Sequence, residues 1–202
     1  MSLRRRRTRP RREEVPGRAP ACVLDIFRQT GAILEGHFLL TSGRHSGTYL
    51  EKFRVLQYPE QTQRLCRLIT ERFRDSGVQV VAGPTTGGII LSFEVARQLG
   101  VRGIFAESAE GGRRFLRGFR IEPGERTLVV DDILTTGGSI RDVMDAVRQA
   151  GGEPIGVAVL ADRTGGATDF GVPFFACTAL KIESYEPSDC PLCRESVPLT
   201  KT

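Results

Sequence analysis

The segment that decides the fold reads Leu128-Val129-Val130-Asp131-Asp132-Ile133-Leu134-Thr135-Thr136-Gly137-Gly138-Ser139-Ile140. Its apolar start predicts a buried strand over residues 127–130. Residues 131–138 predict a loop of carboxylate, hydroxyl and glycine residues, and residues 139–150 predict a helix that ends at Gly151. Two adjacent carboxylates therefore follow a buried strand, at the edge where ligands bind in open α/β sheets.

The same order of strand, loop and helix recurs on both sides of this segment. Strands are predicted at residues 78–82, 101–106, 155–160 and 174–180, and a helix at 89–98. Such repeats fold as right-handed βαβ units. The sequence therefore predicts an α/β fold with a central, mostly parallel sheet flanked by helices.

A smaller N-terminal part precedes this core. Residues 21–30 predict a helix, 37–40 and 48–55 predict two strands joined by a polar turn, and 59–75 predict a longer helix. We treat residues 21–202 as one domain, with this N-terminal part at about 21–58 and the core at about 59–182.

Positive charge is concentrated at the N-terminus. Residues 1–20 contain eight arginines and two glutamates, whereas the whole chain of 202 residues has a net charge of +5. This composition predicts a disordered, Arg-rich tail, with weak nucleic-acid contact as the minor alternative. Without an apolar run of about 18 residues or a secretory signal, we expect no membrane span and a cytoplasmic protein.

The five cysteines are odd in number and scattered, which argues against a disulfide framework. Cys190 and Cys193 have the spacing of metal ligands, but structural zinc needs about four ligands. Because no second cysteine pair exists and His37 and His45 are far away in sequence, we interpret this segment as an ordinary turn. The three lysines lie in no obvious motif, so arginines are expected to supply cations.

The loop after Asp131 and Asp132 suits a ligand with hydroxyls at one end and a phosphate at the other, as in a ribose 5-phosphate. Glycines allow close backbone approach, and free amides at a helix start attract phosphate. The hydroxyl and glycine residues are Thr135, Thr136, Gly137, Gly138 and Ser139. No lysine follows the glycines as in a Walker loop, and Gly-x-Gly-x-x-Gly is absent.

This segment resembles the signature of type I phosphoribosyltransferases, which bind phosphoribosyl pyrophosphate (PRPP). The resemblance implies that Asp131 and Asp132 meet the ribose hydroxyls and act in catalysis. It implies PRPP contacts from Ile133, Leu134, Thr135, Thr136, Gly137, Gly138 and Ser139. It also implies Mg²⁺ as cofactor, held mainly by PRPP near the two aspartates, with no direct protein ligand assigned.

A second loop, Thr85-Thr86-Gly87-Gly88, resembles the pyrophosphate loop of the same family. Some members have a lysine where this chain has Gly87. The segment 107–120 resembles a mobile loop that crosses a homodimer interface and brings cations to the partner's pyrophosphate. Arg113 and Arg114 are the candidate catalytic cations, and a solvated hairpin is the alternative.

Three further segments resemble orotate phosphoribosyltransferases. Residues 36–46 resemble the hood that closes over the base, which implies that the N-terminal part at about 21–58 is this hood. Residues 184–193 resemble the tail of many bacterial members. Arg163 stands where the family's arginine pairs with the orotate carboxylate, and Thr135 is the second implied orotate contact. The implied reaction transfers ribose 5-phosphate from PRPP to orotate. A purine phosphoribosyltransferase and a PRPP-sensing nucleic-acid-binding regulator remain as alternatives.

Overall fold

The computed structural model describes residues 23–202, so the predicted disordered tail lies outside the described residues. The helices are α1 Val23–Gln29, α2 Phe53–Leu56, α3 Pro59–Phe73, α4 Gly87–Leu99, α5 Gly138–Gln149 and α6 Pro191–Arg194. The strands are β1 Ile33–Leu39, β2 His45–Leu50, β3 Val80–Pro84, β4 Arg102–Ala109, β5 Gly112–Arg114, β6 Arg126–Leu134, β7 Glu153–Asp162, β8 Phe174–Ala179 and β9 Thr200–Lys201. Within this range, no helix combines the length and apolar character needed to cross a bilayer.

Six strands form the central sheet in the order β5-β4-β3-β6-β7-β8. Every neighbouring pair is parallel except β4 and β5, which form a hairpin. Successive residues of β6 point to opposite faces, so Leu128 packs with the cluster that includes α3 and α4, and Val129 packs with the cluster under α5. Both faces are covered by helices, which confirms the predicted fold class.

The hood is a separate three-stranded sheet in the order β2-β1-β9. β1 and β2 are antiparallel, whereas β9, from the end of the chain, runs parallel to β1. The C-terminal tail also contacts the hood at Tyr185, whose backbone exchanges hydrogen bonds with that of His45. The hood was predicted, but its third strand was not.

Two predicted boundaries are wrong for reasons of packing. The strand predicted at 48–55 ends at Leu50, because Val55 and Leu56 are buried from one face of a helical turn. The loop predicted to begin at Asp131 begins only at Thr135, because β7 pairs with β6 as far as Leu134.

Candidate active site

A cavity of about 610 Å³ lies at the carboxyl edge of β3, β6 and β7, under the hood. It brings together most of the predicted site residues, namely Thr85, Thr86, Gly87, Arg113, Asp131, Asp132, Ile133, Thr135, Thr136, Ser139 and Arg163. Gly88, Leu134, Gly137 and Gly138 lie in the same segments without lining the cavity, and Arg114 lines a separate groove. Predicted site residues as far apart in sequence as Thr85 and Arg163 therefore share one site.

The two carboxylates at the end of β6 are buried. Asp131 accepts hydrogen bonds from the Asp132 amide, at 2.8 Å, and from the Ser139 hydroxyl, at 2.9 Å. Asp132 Oδ1 accepts one from the Ile133 amide, at 2.7 Å. A hydrogen bond from the first turn of α5 thus fixes the Asp131 carboxylate, and backbone amides donate to both carboxylates.

Burial raises the pKa of Asp131 to about 6, and the neighbouring Asp132 charge adds to this effect. Burial also raises the pKa of Asp132, although Lys52 opposes the shift. Two buried carboxylates that repel each other are costly to keep ionised, and a cation or a set of hydroxyl donors would relieve that cost.

Lys52 is the functional candidate that the sequence did not reveal. Its Nζ lies 3.1 Å from both carboxylate oxygens of Asp132 and donates its hydrogen bond to Oδ1. Oδ2 receives no hydrogen bond from the described residues. Lys52 lies between β2 and α2, in the hood, where neither a motif nor a periodic pattern marks it.

The loop after β6 forms a cradle at the start of α5. Gly137 has φ +81°, in the left-handed region that favours glycine, and a Cβ there would lie 3.3 Å from the Phe170 ring. Thr135 and Thr136 are exposed to the cavity. The first amides of a helix lack partners within the helix, so this end of α5 can donate to an anion.

Glycines at the end of β3 and the start of α4 are required by close packing. A Cβ on Gly83 would lie 2.4 Å from the Gly88 carbonyl oxygen, and one on Gly87 would lie 1.7 Å from Asp132 Oδ2. The position where some members have a lysine therefore has no space for a side chain unless Asp132 moves. The amine of Lys52 reaches the same carboxylate from the hood.

Arg113 faces the cavity of its own chain. Its Nη1 donates to the Thr85 hydroxyl, at 3.1 Å, and to the Ala106 carbonyl, at 3.2 Å. Arg114, the next residue of β5, is exposed and lies on the other side of the hairpin. The two predicted cations thus occupy different positions.

Arg163 follows β7, and its amide donates to the Leu134 carbonyl, at 2.9 Å. Its side chain is half-buried, and burial lowers the pKa of its guanidinium. Its Nε is buried without a hydrogen-bond partner among residues 23–202. The adjacent Asp162 carboxylate does not compensate it, because it accepts from Thr164 and Gly166. A half-buried guanidinium with an unpaired Nε next to a cavity is suited to an anionic ligand group.

Comparison with known proteins points to the same family that the site segments resemble. The sequence model of the phosphoribosyl transferase domain matches residues 54–170. An orotate phosphoribosyltransferase of Pelotomaculum thermopropionicum is 53% identical over 89% of this chain and 94% of its own.

Two solved structures share the fold. Orotate phosphoribosyltransferase from Aeropyrum pernix has a TM-score of 0.64 and 27% identity, over 79% of this chain and 95% of its own. Adenine phosphoribosyltransferase from Rhodothermus marinus has a TM-score of 0.62 and 23% identity, over 79% and 99% of the two chains, so the fold alone does not identify the base. The 53% identity to the relative from Pelotomaculum thermopropionicum shows the family: this chain belongs to the orotate phosphoribosyltransferases, within the phosphoribosyl transferase fold.

Proposed function

We propose that this chain transfers ribose 5-phosphate from PRPP to orotate, giving orotidine 5′-phosphate and pyrophosphate, a step of pyrimidine biosynthesis. The observation that carries the proposal is the arrangement of one cavity. A buried acidic pair and an anion cradle lie on β6 and α5, and an uncompensated arginine lies beside them after β7. These groups match ribose hydroxyls, a 5′-phosphate and a planar carboxylate.

The chain's own residues act by holding substrates and stabilising charge. Asp131 and Asp132 orient the ribose through its hydroxyls, and the start of α5 holds the 5′-phosphate. Arg163, with Thr135 nearby, orients the base so that its ring nitrogen faces C1′. Lys52 and Arg113 face the cavity at the Thr85–Gly88 loop, where they stabilise the pyrophosphate that leaves. Positioning and preorganised charge supply the rate enhancement.

The residues present fit a divalent cation bound with PRPP. Asp132 Oδ2 is a buried carboxylate oxygen that receives no hydrogen bond within residues 23–202, next to a loop that suits pyrophosphate. Mg²⁺ prefers one or two carboxylates together with phosphate oxygens. Asp131 and Asp132 would hold such a cation together with PRPP, and it would supply neutralisation of the charge on the pyrophosphate.

An assay with several bases tests this function. We expect PRPP-dependent loss of the ultraviolet absorbance of orotate, and rates with adenine, hypoxanthine or guanine at least about 100-fold lower, since purines lack the carboxylate that pairs with Arg163. Removal of residues 1–20 is expected to leave this activity intact. A purine that reacts faster than orotate would contradict the assignment, and nucleic-acid binding that is lost on removing residues 1–20 would favour the regulator.

We further propose a homodimer in which the β4–β5 hairpin serves both sites, Arg113 in its own chain and Arg114 across the interface. An Arg114→Ala chain mixed with an Asp131→Asn/Asp132→Asn chain should then recover activity. Random exchange makes about half of the dimers hybrid, each with one complete site, so we expect about a quarter of wild-type activity. The matched control is an Arg113→Ala chain in the same mixture, which should recover nothing because no site is complete.

Recovery in both mixtures would place both arginines across the interface, contrary to the contact of Arg113 with Thr85. Recovery in neither, despite proven subunit exchange, would exclude a contribution in trans. Subunit exchange itself is measured by mixing chains with different tags and capturing one of them.

A further inference from the structure

Four side chains with metal-binding atoms meet at the junction of the hood and the C-terminal tail. They are His37 on β1, His45 on β2, Cys190 before α6 and Cys193 within it, and their ligand atoms all lie within 4.8 Å of one another. None of them lines the cavity described above. We expected an ordinary C-terminal turn because the two histidines are far from the cysteines in sequence. In the fold they lie next to them.

The hairpin explains how the histidines come together. β1 and β2 are antiparallel with Leu39 opposite His45, and the register shifts between Glu35 and Phe38. His37 Nε2 consequently lies 2.9 Å from His45 Nδ1. The rings are edge to face, with centroids 4.8 Å apart. Cys190 and Cys193 approach the same point from the tail.

The polar atoms of the cluster converge on His37 Nε2. His37 Nδ1 lies 2.8 Å from the Val197 carbonyl oxygen, which can only accept, so Nδ1 carries the proton and Nε2 presents a lone pair. His45 Nδ1, Cys190 Sγ and Cys193 Sγ all approach that lone pair, at 2.9, 3.5 and 3.8 Å. One lone pair accepts about one hydrogen bond, so at most one of these three groups donates to it, and Cys193 Sγ has His45 Nδ1, at 3.3 Å, as its other possible partner.

A metal ion would use all four lone pairs at once. Zinc–nitrogen distances of about 2.0–2.1 Å and zinc–sulfur distances of about 2.3 Å place tetrahedral ligand atoms about 3.3–3.8 Å apart. Both cysteine–His37 distances fall in this range, as does Cys193 Sγ to His45 Nδ1 at 3.3 Å. The nitrogen–nitrogen distance is a few tenths of an ångström short. The hydrogen bond from His37 Nδ1 to a carbonyl is the usual outer contact of a metal-binding histidine.

We propose that His37, His45, Cys190 and Cys193 bind one Zn²⁺ ion in a tetrahedral structural site. Two imidazoles and two thiolates are a ligand set typical of structural zinc, and four protein ligands leave no position open for catalysis. His37, His45 and Cys190 are buried, as in a closed site, while Cys193 lies at its outer side.

The ion holds the end of the chain to the hood. On the tail, Ser184 and Thr202 line the substrate cavity, and Arg44 of the hood donates to the Ser184 hydroxyl and carbonyl, at 2.9 and 2.7 Å. The ion lies behind this side of the cavity and fixes the C-terminal segment and the β1–β2 hairpin relative to each other. The proposal does not depend on which base the enzyme accepts.

Metal analysis of the full chain tests the site. Protein purified with reductant after growth with added zinc, and then desalted, should hold about one zinc per chain by mass spectrometry, whereas Cys190→Ser/Cys193→Ser should hold less than about a tenth. Cys66→Ala and Cys177→Ala are matched controls, because both are free cysteines away from the cluster, and each should keep about one zinc.

Two further measurements use the wild-type chain, so the test survives if the double variant fails to fold. Co²⁺ added to metal-free protein should give the visible bands of a tetrahedral ion and a near-ultraviolet band from sulfur ligation. A strong chelator should lower the unfolding midpoint by at least about 5 °C, and zinc should restore it.

Less than a tenth of an equivalent of zinc in wild type, together with no tetrahedral cobalt spectrum, would overturn the proposal and leave a hydrogen-bonded cluster or a Cys190–Cys193 disulfide. Full zinc retention by the double cysteine variant would overturn the ligand set. Loss of zinc from the Cys66 or Cys177 control would likewise exclude a specific role for the tail cysteines.

Discussion

Replacing both Asp131 and Asp132 with asparagine is expected to lower kcat/KM at least about 1000-fold while making the free protein more stable at neutral pH. Activity falls because two charges that orient the ribose and face the bound cation are lost. Stability rises because the same charges are buried next to each other and are costly when no ligand is bound. The two buried charges that the proposed function needs are therefore expected to lower the stability of the free protein.

The pH dependence of this stabilisation has a definite sign. The pKa of Asp131 is raised from 3.8 to about 6 by burial, so the folded state holds a proton that the unfolded state has released in that interval. Wild-type stability from this group is therefore fully present below about pH 4 and is lost as the pH rises through about 6, by up to about 3 kcal/mol. Asparagine does not ionise, so its advantage should be larger at pH 8 than at pH 5.

Thermal unfolding at the two pH values, together with steady-state kinetics, measures both effects. Asp142→Asn is the matched control, since it removes one carboxylate from the exposed face of α5, and it should change neither activity nor the pH dependence. Near-wild-type turnover in the double variant would refute the assignment of the acidic pair. A stability gain that is equal at both pH values would refute the cost of buried charge.

The acidic pair was predictable because its signals are local. The apolar run of β6, the two aspartates, the glycines and the start of α5 are contiguous in sequence, and each points to the same strand–loop–helix unit. The length of β6 was not predictable, because its pairing with β7, as far as Leu134 and Asp162, extends the strand past the aspartates. Sequence propensity does not include a neighbour that enters the fold later in the chain.

Contributions from distant segments were missed for the same reason. Lys52 reaches Asp132 from 80 residues away, and Cys190 reaches His37 from 153 residues away. No local spacing marks either pair. In the cluster, the Cys-x-x-Cys segment gave only half of a ligand set, and the hood hairpin supplies the other half. The fold, more than any motif, assembles these sites.

Arg163→Ala is expected to lower kcat/KM for orotate by roughly 30- to 1000-fold. Orotate differs from uracil by a carboxylate, and the half-buried guanidinium with its unpaired Nε is the cation placed to receive it. A bidentate pair sheltered from water is worth about 2–4 kcal/mol, and about 1.4 kcal/mol corresponds to one decade in rate. Arg163→Lys keeps the charge but loses the planar fork, so it should also be impaired.

The binding of PRPP separates this role from a general structural defect. Calorimetry should give nearly unchanged PRPP affinity in Arg163→Ala, because the start of α5 and the Asp131–Asp132 pair are untouched. Arg148→Ala, an exposed arginine of α5 that pairs with Asp145, is the matched control and should leave both orotate kinetics and PRPP affinity unchanged. Unchanged orotate kinetics in Arg163→Ala would mean that another group binds the carboxylate. Lys52 would then be the candidate, because it is the one lysine among the described residues that lines the cavity. A parallel loss of PRPP affinity would instead show that Arg163 has a structural role in the loop after β7, where its amide donates a hydrogen bond to the Leu134 carbonyl.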